Sequence, residues 1–472
     1  MGKETLTRPA SVPESVWDGM KDEARALVLV LVHRIEELEL RLGMNSGNSS
    51  QPPSADGPGD KPAKTPRQRS GKKRGAQAGH TKVERPLIPT EQCDDVQHHK
   101  PEQCENCGLE LSGDDPDPQR KQVVDLPPVR PIVTEHQIHT LTCPCCGTRN
   151  CGQLPEHVPR GCFGPQVVAT VMMLTGLGRL SHRIMAELLL RLFGLEIAIG
   201  QVSRLQRIGC LALHPAREEI AAHVRGSAVV NVDETSWRQD GRKAWLWTAV
   251  GSLATMFVIS VSRSRGALQE LLGAAYQGIV GSDRYSAYSD LPDDRHQFCW
   301  AHLLRDFQAL IDRGGASVGI GERLKSAGQQ LIHQWNRWRA GEISRTTFRR
   351  HYLDLRNSIM DALIDGQCCG HAKTEDLCRR LINHNYSLFM FAETDGVAPT
   401  NNPAEQSLRR AVIFRKLSFG TESGSGSDVI TTTFSVVETC RRLGRDAHTY
   451  IREAVEAHFQ NLPAPQLITQ HP

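Results

Sequence analysis

The stretch Val230-Asn-Val-Asp233-Glu-Thr-Ser-Trp237 decides how this chain folds. It closes a β-branched run, Ser227 to Trp237, that reads as a strand. Gln239-Asp240-Gly241 follows as a hairpin signal, and Lys243 to Val250 alternates as the returning strand. Thr255 to Ser262 predicts a third strand, Gly266 to Tyr276 a crossover helix, and Gly278 to Ser282 a short apolar strand.

Three meandering strands, a helix and a parallel strand are what a ribonuclease-H-like core requires. A right-handed crossover sets the last strand beside the first. Asp233, and Asp283 of Ile279-Val-Gly-Ser-Asp283-Arg-Tyr285, then meet at the carboxyl ends, where open α/β sheets place their ligands. Either aspartate alone is equally a turn cap. A third carboxylate, Glu405 of Thr400-Asn-Asn402-Pro-Ala-Glu405, opens a helix that soon turns basic. One reading makes Asn402 an N-cap, with Pro403 at the first helical position and Glu405 closing a capping box. The other makes Glu405 a metal ligand on a nucleic-acid-facing helix, because Arg409 lies one turn on and Arg410, Arg415 and Lys416 follow. Hard divalent ions, Mg²⁺ with Mn²⁺ as substitute, take oxygen ligands, and a pair of them clamps both oxygens of a phosphodiester exchange. The three acids predict a metal-dependent polynucleotidyl transferase.

Asp283 and Glu405 are separated by 121 residues, far more than one strand and one helix need. His296 to Trp300 predicts another strand, and helices from about 319 to 392 predict an insertion. Cys299-Trp-Ala-His302 sits just before it. That pair is either a metal site, with Cys368, Cys369, His371 or Cys378 as partners, or a buried thiol and a capping histidine.

Upstream, residues 157–225 predict helices. Ser181 caps one carrying Ile184, Leu188 and Leu192, Gly194 ends it, and a second presents Gln201, Ser203, Arg204 and Arg207 outward. Such a pair is a helix-turn-helix for DNA or simply a structural hairpin. Before it, Cys104-Glu-Asn-Cys107-Gly and Cys143-Pro-Cys-Cys146-Gly offer four thiolates to one structural Zn²⁺. The intervening 35 residues are long for a zinc ribbon, but Gln122 to Val124 and Ile132 to Leu141 predict strands whose hairpin joins the knuckles. Cys93, His98, His99, Cys145 and Cys151 are spare ligands.

The N-terminal helix repeats Val28, Leu31, Ile35, Leu38 and Leu42 as an a/d seam, a short coiled coil for self-association. Asn45 to His80 is rich in Asn, Ser, Gly, Pro and Lys, which predicts a mobile linker. It contains seven Lys or Arg and no acid between Lys61 and Arg74, so Lys72, Lys73 and Arg74 suit phosphate contact.

The predicted organisation is therefore a multidomain α/β chain. A zipper-like helix (1–44) leads through a basic linker (45–85) to a zinc module (86–156) and a helical DNA-binding domain (157–225). The catalytic core (226–318 and 393–430) is interrupted by the helical insertion (319–392), and a helical segment (431–472) closes the chain. A net charge of +3 excludes a polycation, and the longest apolar run, Ala26 to Val32, has seven residues, too few for a membrane span. The polar N-terminus offers no secretory signal, so a cytoplasmic, nucleoid-associated location is expected. Fourteen cysteines in such a compartment predict metal ligands or buried thiols rather than disulfides.

Taken together, the chain resembles transposases of the insertion sequence 66 family nearly end to end. The resemblance rests on Asn45-Ser-Gly-Asn-Ser-Ser-Gln-Pro-Pro-Ser-Ala-Asp56, Gly75-Ala-Gln-Ala-Gly-His80 and the two cysteine knuckles. Asp233-Glu-Thr-Ser-Trp237, Ser282-Asp283-Arg-Tyr-Ser-Ala-Tyr288, Cys299-Trp-Ala-His302 and Asn401-Asn-Pro-Ala-Glu405 complete it. It implies an Asp-Asp-Glu transposase with Asp233, Asp283 and Glu405 on the metals. Terminal inverted repeats and a target duplex are its implied DNA partners, alongside small accessory proteins. Gln406 stands where the family often has arginine, and Ala78 where it often has proline.

Overall fold

A computed structural model of the chain describes residues 7–9, 12–42, 44–45, 49–51, 85–156 and 158–469. Lys72, Lys73, Arg74 and the Gly75–His80 motif lie outside the described residues.

The central element is a five-stranded mixed sheet. Three antiparallel strands, β3 (Val229–Gln239), β4 (Arg242–Val250) and β5 (Thr255–Ser260), form a meander. Asp240 and Gly241, both with positive φ, make the first turn, as Asp-Gly pairs do in hairpins. Helix α7 (Arg265–Leu272) crosses over to β6 (Ile279–Ser282), which pairs parallel to β3, and β7 (His296–Phe298) pairs parallel to β6. The spatial order is β5-β4-β3-β6-β7. These boundaries follow the sequence reading closely: alternation is clear along β3, and β5, β6 and β7 are short, mostly buried runs.

Alternation along β3 gives the sheet two different faces. Val230 and Val232 face a core built with α3 (Pro165–Gly176), α4 (His182–Phe193), α5 (Ile199–Ala212) and α6 (His214–Gly226). Residues 157–225 thus share one continuous apolar core with the sheet. Trp237, Ala244, Leu246 and Phe257 face the opposite core, with Leu408 and Phe414 of α13 (Asn402–Ser418) and Phe434 of α14 (Gly424–Leu443). Trp237 stacks on Phe414, with ring centroids 6.0 Å apart. Between β7 and α13, helices α8 (Trp300–Arg313), α9 (Ser317–Arg339), α10 (Arg345–Gly366), α11 (Ala372–Asn383) and α12 (Asn385–Glu393) build a third core, joined to the sheet through Phe298.

Helix α14 and α15 (Ala447–Phe459) end the fold, and α14 is buried on all sides from Val429 to Cys440. It runs through residues 430–431, so the break placed there falls inside a helix. Its hydroxyls cover the open edge of β5. Thr439 Oγ1 accepts from Thr255 N at 3.1 Å, and Ser435 Oγ accepts from Phe257 N at 3.0 Å. The spacings match: four helical residues rise ~6 Å and two strand residues ~6.6 Å. An otherwise bare edge is closed without another strand.

Several expectations are corrected. The buried face of α4 carries Met185 and Leu189, one residue along from the anticipated Ile184 and Leu188, so Ile184 and Leu192 are half exposed or more. Ser181 and Gly194 do cap that helix. Residues 122–124 and 132–139 are not assigned to a strand; the hairpin is instead β1 (Thr140–Thr142) with β2 (Arg149–Cys151), flanking the second knuckle and continued by Gly152 N donating to His139 O. None of the described residues 85–156 is buried, so there is no apolar core to draw the longer strands together. The Asn45 run is anchored where it is described: Ser49 is buried, and Ser50 N donates to Asp312 Oδ2 of α8 at 2.7 Å. Its polar groups find partners, which composition does not foresee. Of the zipper, α1 (Glu14–Asp18) precedes α2 (Asp22–Leu42); Leu31 and Ile35 are exposed and Val28 half-buried, while the side chains of Leu38 and Leu42 lie outside the described set.

Replacing Ser435 with Ala should strand the buried Phe257 amide and lower stability by about 1–3 kcal/mol. Chemical denaturation followed by sheet fluorescence would measure it, and an unchanged midpoint would show the edge closed by other means.

Candidate active site

Asn231 pairs with Gly281 across the parallel β3–β6 ladder. Asp233 and Asp283 each lie two residues further on, so they leave the same end of the sheet on the same face. Asp233 Oδ1 accepts from Glu234 N at 2.9 Å, and Asp283 Oδ1 accepts from Tyr285 N at 3.0 Å. The backbone thus takes one oxygen of each; the other has no protein hydrogen bond among the described residues. Ser282 holds the second aspartate's backbone: its Oγ donates to Asp283 O and meets His296 Nε2, both at 2.8 Å. Burial pushes His296 down to about 4, so that imidazole is neutral at physiological pH.

Glu405 arrives from the other side. Cys299 N donates to Ser282 O, extending the β6–β7 ladder, and Trp300 N donates to Pro399 O, each at 2.8 Å. These bonds bring the first turn of α13 beside that of α8. The N-cap of α13 is Asn401, not Asn402, and it makes no side-chain cap. Glu405 therefore lies one residue past the box position, and the capping-box reading is set aside. Its carboxylate is 40% exposed, with Oε1 3.9 Å from His302 Nδ1.

The three acids share one field. Burial first, then Glu234, Asp283 and Glu405, push the Asp233 carboxyl well above the ordinary range, against the amide of Glu234. Among the described residues no cationic side chain forms an ion pair with Asp233. The three carboxylates do not gather as tightly as a single-ion cage; among the described residues the one such group within 4.8 Å is Cys299, His302 and Glu405. Cys368, Cys369, His371 and Cys378 take no part in it.

Glu234 is a neighbour that reading the sequence missed. It points to the opposite face of β3 and is buried, yet fully partnered. Arg263 Nε donates to its Oε1 at 2.8 Å, and the Tyr288 hydroxyl donates to Oε2. Arg263 also lies over the Tyr285 ring, 3.5 Å from its centroid. A charge following Val230 and Val232 on an apolar face was the available signal; its partner, Arg263, lies beyond two strands.

The candidate nucleic-acid residues divide by exposure. Arg409 and Lys416 are exposed on α13, on one stripe with Gln406 and Ile413. Arg410 instead pairs with buried Glu438 at 2.9 Å, and Arg415 bonds Thr235 Oγ1 at 2.9 Å and Ser236 on β3. Arg204 and Arg207 are exposed on α5.

In the cysteine module, the two knuckles are the same turn built twice. Cys104 N donates to Leu109 O and Gly108 N to Cys104 O; Cys143 N donates to Thr148 O and Gly147 N to Cys143 O. Gly108 and Gly147 have φ of 74° and 73°, which glycine adopts without strain. Hydrogen bonds, chiefly with Thr148, push the Cys146 thiol down to about 7. Each half presents a pair of cysteines on one tight turn. The two halves are not gathered into one four-thiol cluster, and Cys93 is engaged with Gln122 at 3.3 Å.

The sequence pattern of the "Transposase IS66 family" matches residues 160–428, more than half of the chain and the whole of the sheet. The chain belongs to this family, whose members are transposase-type DNA-processing enzymes. The "zinc-finger binding domain of transposase IS66" matches residues 101–147, which span all four knuckle cysteines and support a structural zinc. A family of unknown function, DUF6444, matches residues 13–86. Two relatives come from Sinorhizobium fredii. The uncharacterized protein y4hP is 24% identical over 79% of this chain and 74% of its own length. The uncharacterized protein y4qI is 24% identical over 48% of this chain, so the alignment spans about half of that relative, 46%. Among the described residues no helix is long and apolar enough to cross a membrane.

The field at Asp233 sets a pH dependence. Unfolded, its carboxyl ionises in the ordinary range; folded, it keeps its proton to higher pH. The folded state binds more protons across that window, so stability falls as pH rises through it. In buffer without Mg²⁺, Asp233→Asn should remove that slope and raise the unfolding midpoint near pH 7. A variant melting no higher than wild type would contradict the charge assignment.

Proposed function

We propose that this chain is a DNA transposase of a bacterial insertion sequence, in which Asp233, Asp283 and Glu405 hold the divalent ions of an Asp-Asp-Glu centre on a ribonuclease-H-like core. The observation that carries this reading is the parallel β3–β6 register that brings Asp233 and Asp283 to one end of the sheet, with Glu405 close enough to join burial, Glu234 and Asp283 in raising the Asp233 carboxyl. Carboxylates gathered in this way favour bound cations. The donor set fits Mg²⁺ or Mn²⁺, being all carboxylate oxygen, and a spread wider than one ion's shell fits a two-ion arrangement. When bound, the ions would activate the attacking oxygen and stabilise the leaving one.

The chain's own groups do the rest. The ladder from β3 to β6 fixes the two aspartates, and the N-termini of α8 and α13 converge where a phosphate would lie, adding favourable helix-end charge. Arg409 and Lys416 carry the duplex along α13, with Arg204 and Arg207 reading the element end from α5 and Lys72, Lys73 and Arg74 adding phosphate contacts. Residues 86–156 form the zinc module, and 319–392 interrupt the core. Half-buried Val28 and exposed Leu31 and Ile35 support pairing of two chains through α2. Element ends, target DNA and small accessory proteins are the proposed partners, in the cytoplasm at the nucleoid.

A non-catalytic DNA-binding regulator would need no such acidic pocket, so cleavage decides between the two. Asp233→Asn, Asp283→Asn and Glu405→Gln should each reduce Mg²⁺-dependent cleavage of an end-bearing duplex by on the order of 10³-fold or more. Binding of that duplex should persist. Arg409→Ala should weaken binding on all sequences and lower the salt slope by about one. Cleavage surviving Asp233→Asn would defeat the assignment, and cleavage without strand joining would leave a nuclease.

A further inference from the structure

The first turn of α8 holds two residues that the proposed chemistry does not use, Cys299 and His302, beside Glu405, which it does. Cys299, His302 and Glu405 each offer a ligand atom within 4.8 Å of the others. Cys299 is the N-cap of α8 and His302 lies three residues on, so both side chains leave one face of the first turn. Glu405 is brought to them by the Trp300–Pro399 backbone bond. His302 Nδ1 is buried with no hydrogen-bond partner, and it lies 3.9 Å from Glu405 Oε1. Buried polar atoms are normally paired, so an orphan aimed at a carboxylate and a thiol marks a place for a cation. Asn401 N donates to Cys299 Sγ at 3.4 Å, an outer bond that partly opposes the burial pushing this thiol up.

The donor types select the ion. Mg²⁺ takes oxygen and avoids sulfur, whereas one thiolate, one imidazole and one carboxylate with a fourth position open suit Zn²⁺ or Co²⁺. We propose that Cys299, His302 and Glu405 form a zinc site overlapping the catalytic centre, in which Zn²⁺ claims Glu405 and withdraws it from the Asp233–Asp283 pair. Binding displaces the thiol proton of Cys299 to solvent, and release of zinc restores it. Zinc then acts as an inhibitor of strand cleavage. The inhibition rests on Glu405 belonging to the catalytic trio; the zinc site does not.

The test uses the full chain, dialysed against micromolar Zn²⁺ and assayed for metal. Wild type should hold one equivalent beyond that of the cysteine knuckles. His302→Gln, at a side chain 31% exposed, and Cys299→Ser should each lose that equivalent and weaken its binding by roughly tenfold or more. Co²⁺ in the same site should give a thiolate charge-transfer band that disappears in Cys299→Ser. Zinc content unchanged in both variants would overturn the site. Zinc should also inhibit Mg²⁺-dependent cleavage by wild type at about tenfold lower concentration than by His302→Gln; equal inhibition would overturn the regulatory role. If Asp233→Asn still cleaves while His302→Gln loses zinc, the trio falls and the zinc site stands. If Asp233→Asn is inactive and zinc ignores both substitutions, the reverse holds.

Discussion

The parallel pairing of Val229–Asn231 with Ile279–Gly281 is the constraint on which the rest depends. Its closeness is visible at Gly281, where a Cβ would lie 2.8 Å from Asn231 Oδ1, so no larger residue fits without displacing that side chain. Because the strands run parallel and in step, equal distances beyond the last pair bring Asp233 and Asp283 to one place. A one-residue slip would send one of them to the apolar face. The crossover helix, β7 and the entry of α8 all inherit their positions from this ladder.

Two adjacent acids on β3 show how a sheet sorts charge. Glu234 faces the core and is neutralised by Arg263 and Tyr288; Asp233 faces the cleft, where burial and the neighbouring carboxylates raise its carboxyl against one backbone amide. Burying an unpaired carboxylate is unfavourable, which is why its proton is held so firmly when no cation is near. Buried side-chain atoms without a partner occur at several places among the described residues, one of them the junction of β3, β6, α8 and α13. Asn401 Oδ1 and His302 Nδ1, both buried and unpartnered, belong to that same junction.

The N-terminal third obeys different rules. The cysteine module buries none of its described side chains, so its shape rests on two tight knuckles rather than on packing. Small units without a core commonly depend on a metal for stability. Ser49 and Ser50 show that even the polar run after α2 has an address on the body of the protein, at Asp312.

What the chain's order of residues determined was local. Alternation marked the strands, Asp240-Gly241 marked the turn, and the Cys-x-x-Cys-Gly repeats marked two knuckles, because each depends on neighbours a few residues apart. Residue types in the Asp233, Asp283 and Glu405 motifs also marked the acids themselves. Tertiary structure decided what distance hides: which α4 face is buried, that Arg263 rather than a nearer cation pairs with Glu234, and that Arg410 and Arg415 serve internal bonds. It also placed Cys299 and His302 against Glu405, more than a hundred residues away, through backbone bonds that no periodicity encodes. Contacts of that kind depend on how cores close around the sheet, and closure is a property of the whole chain.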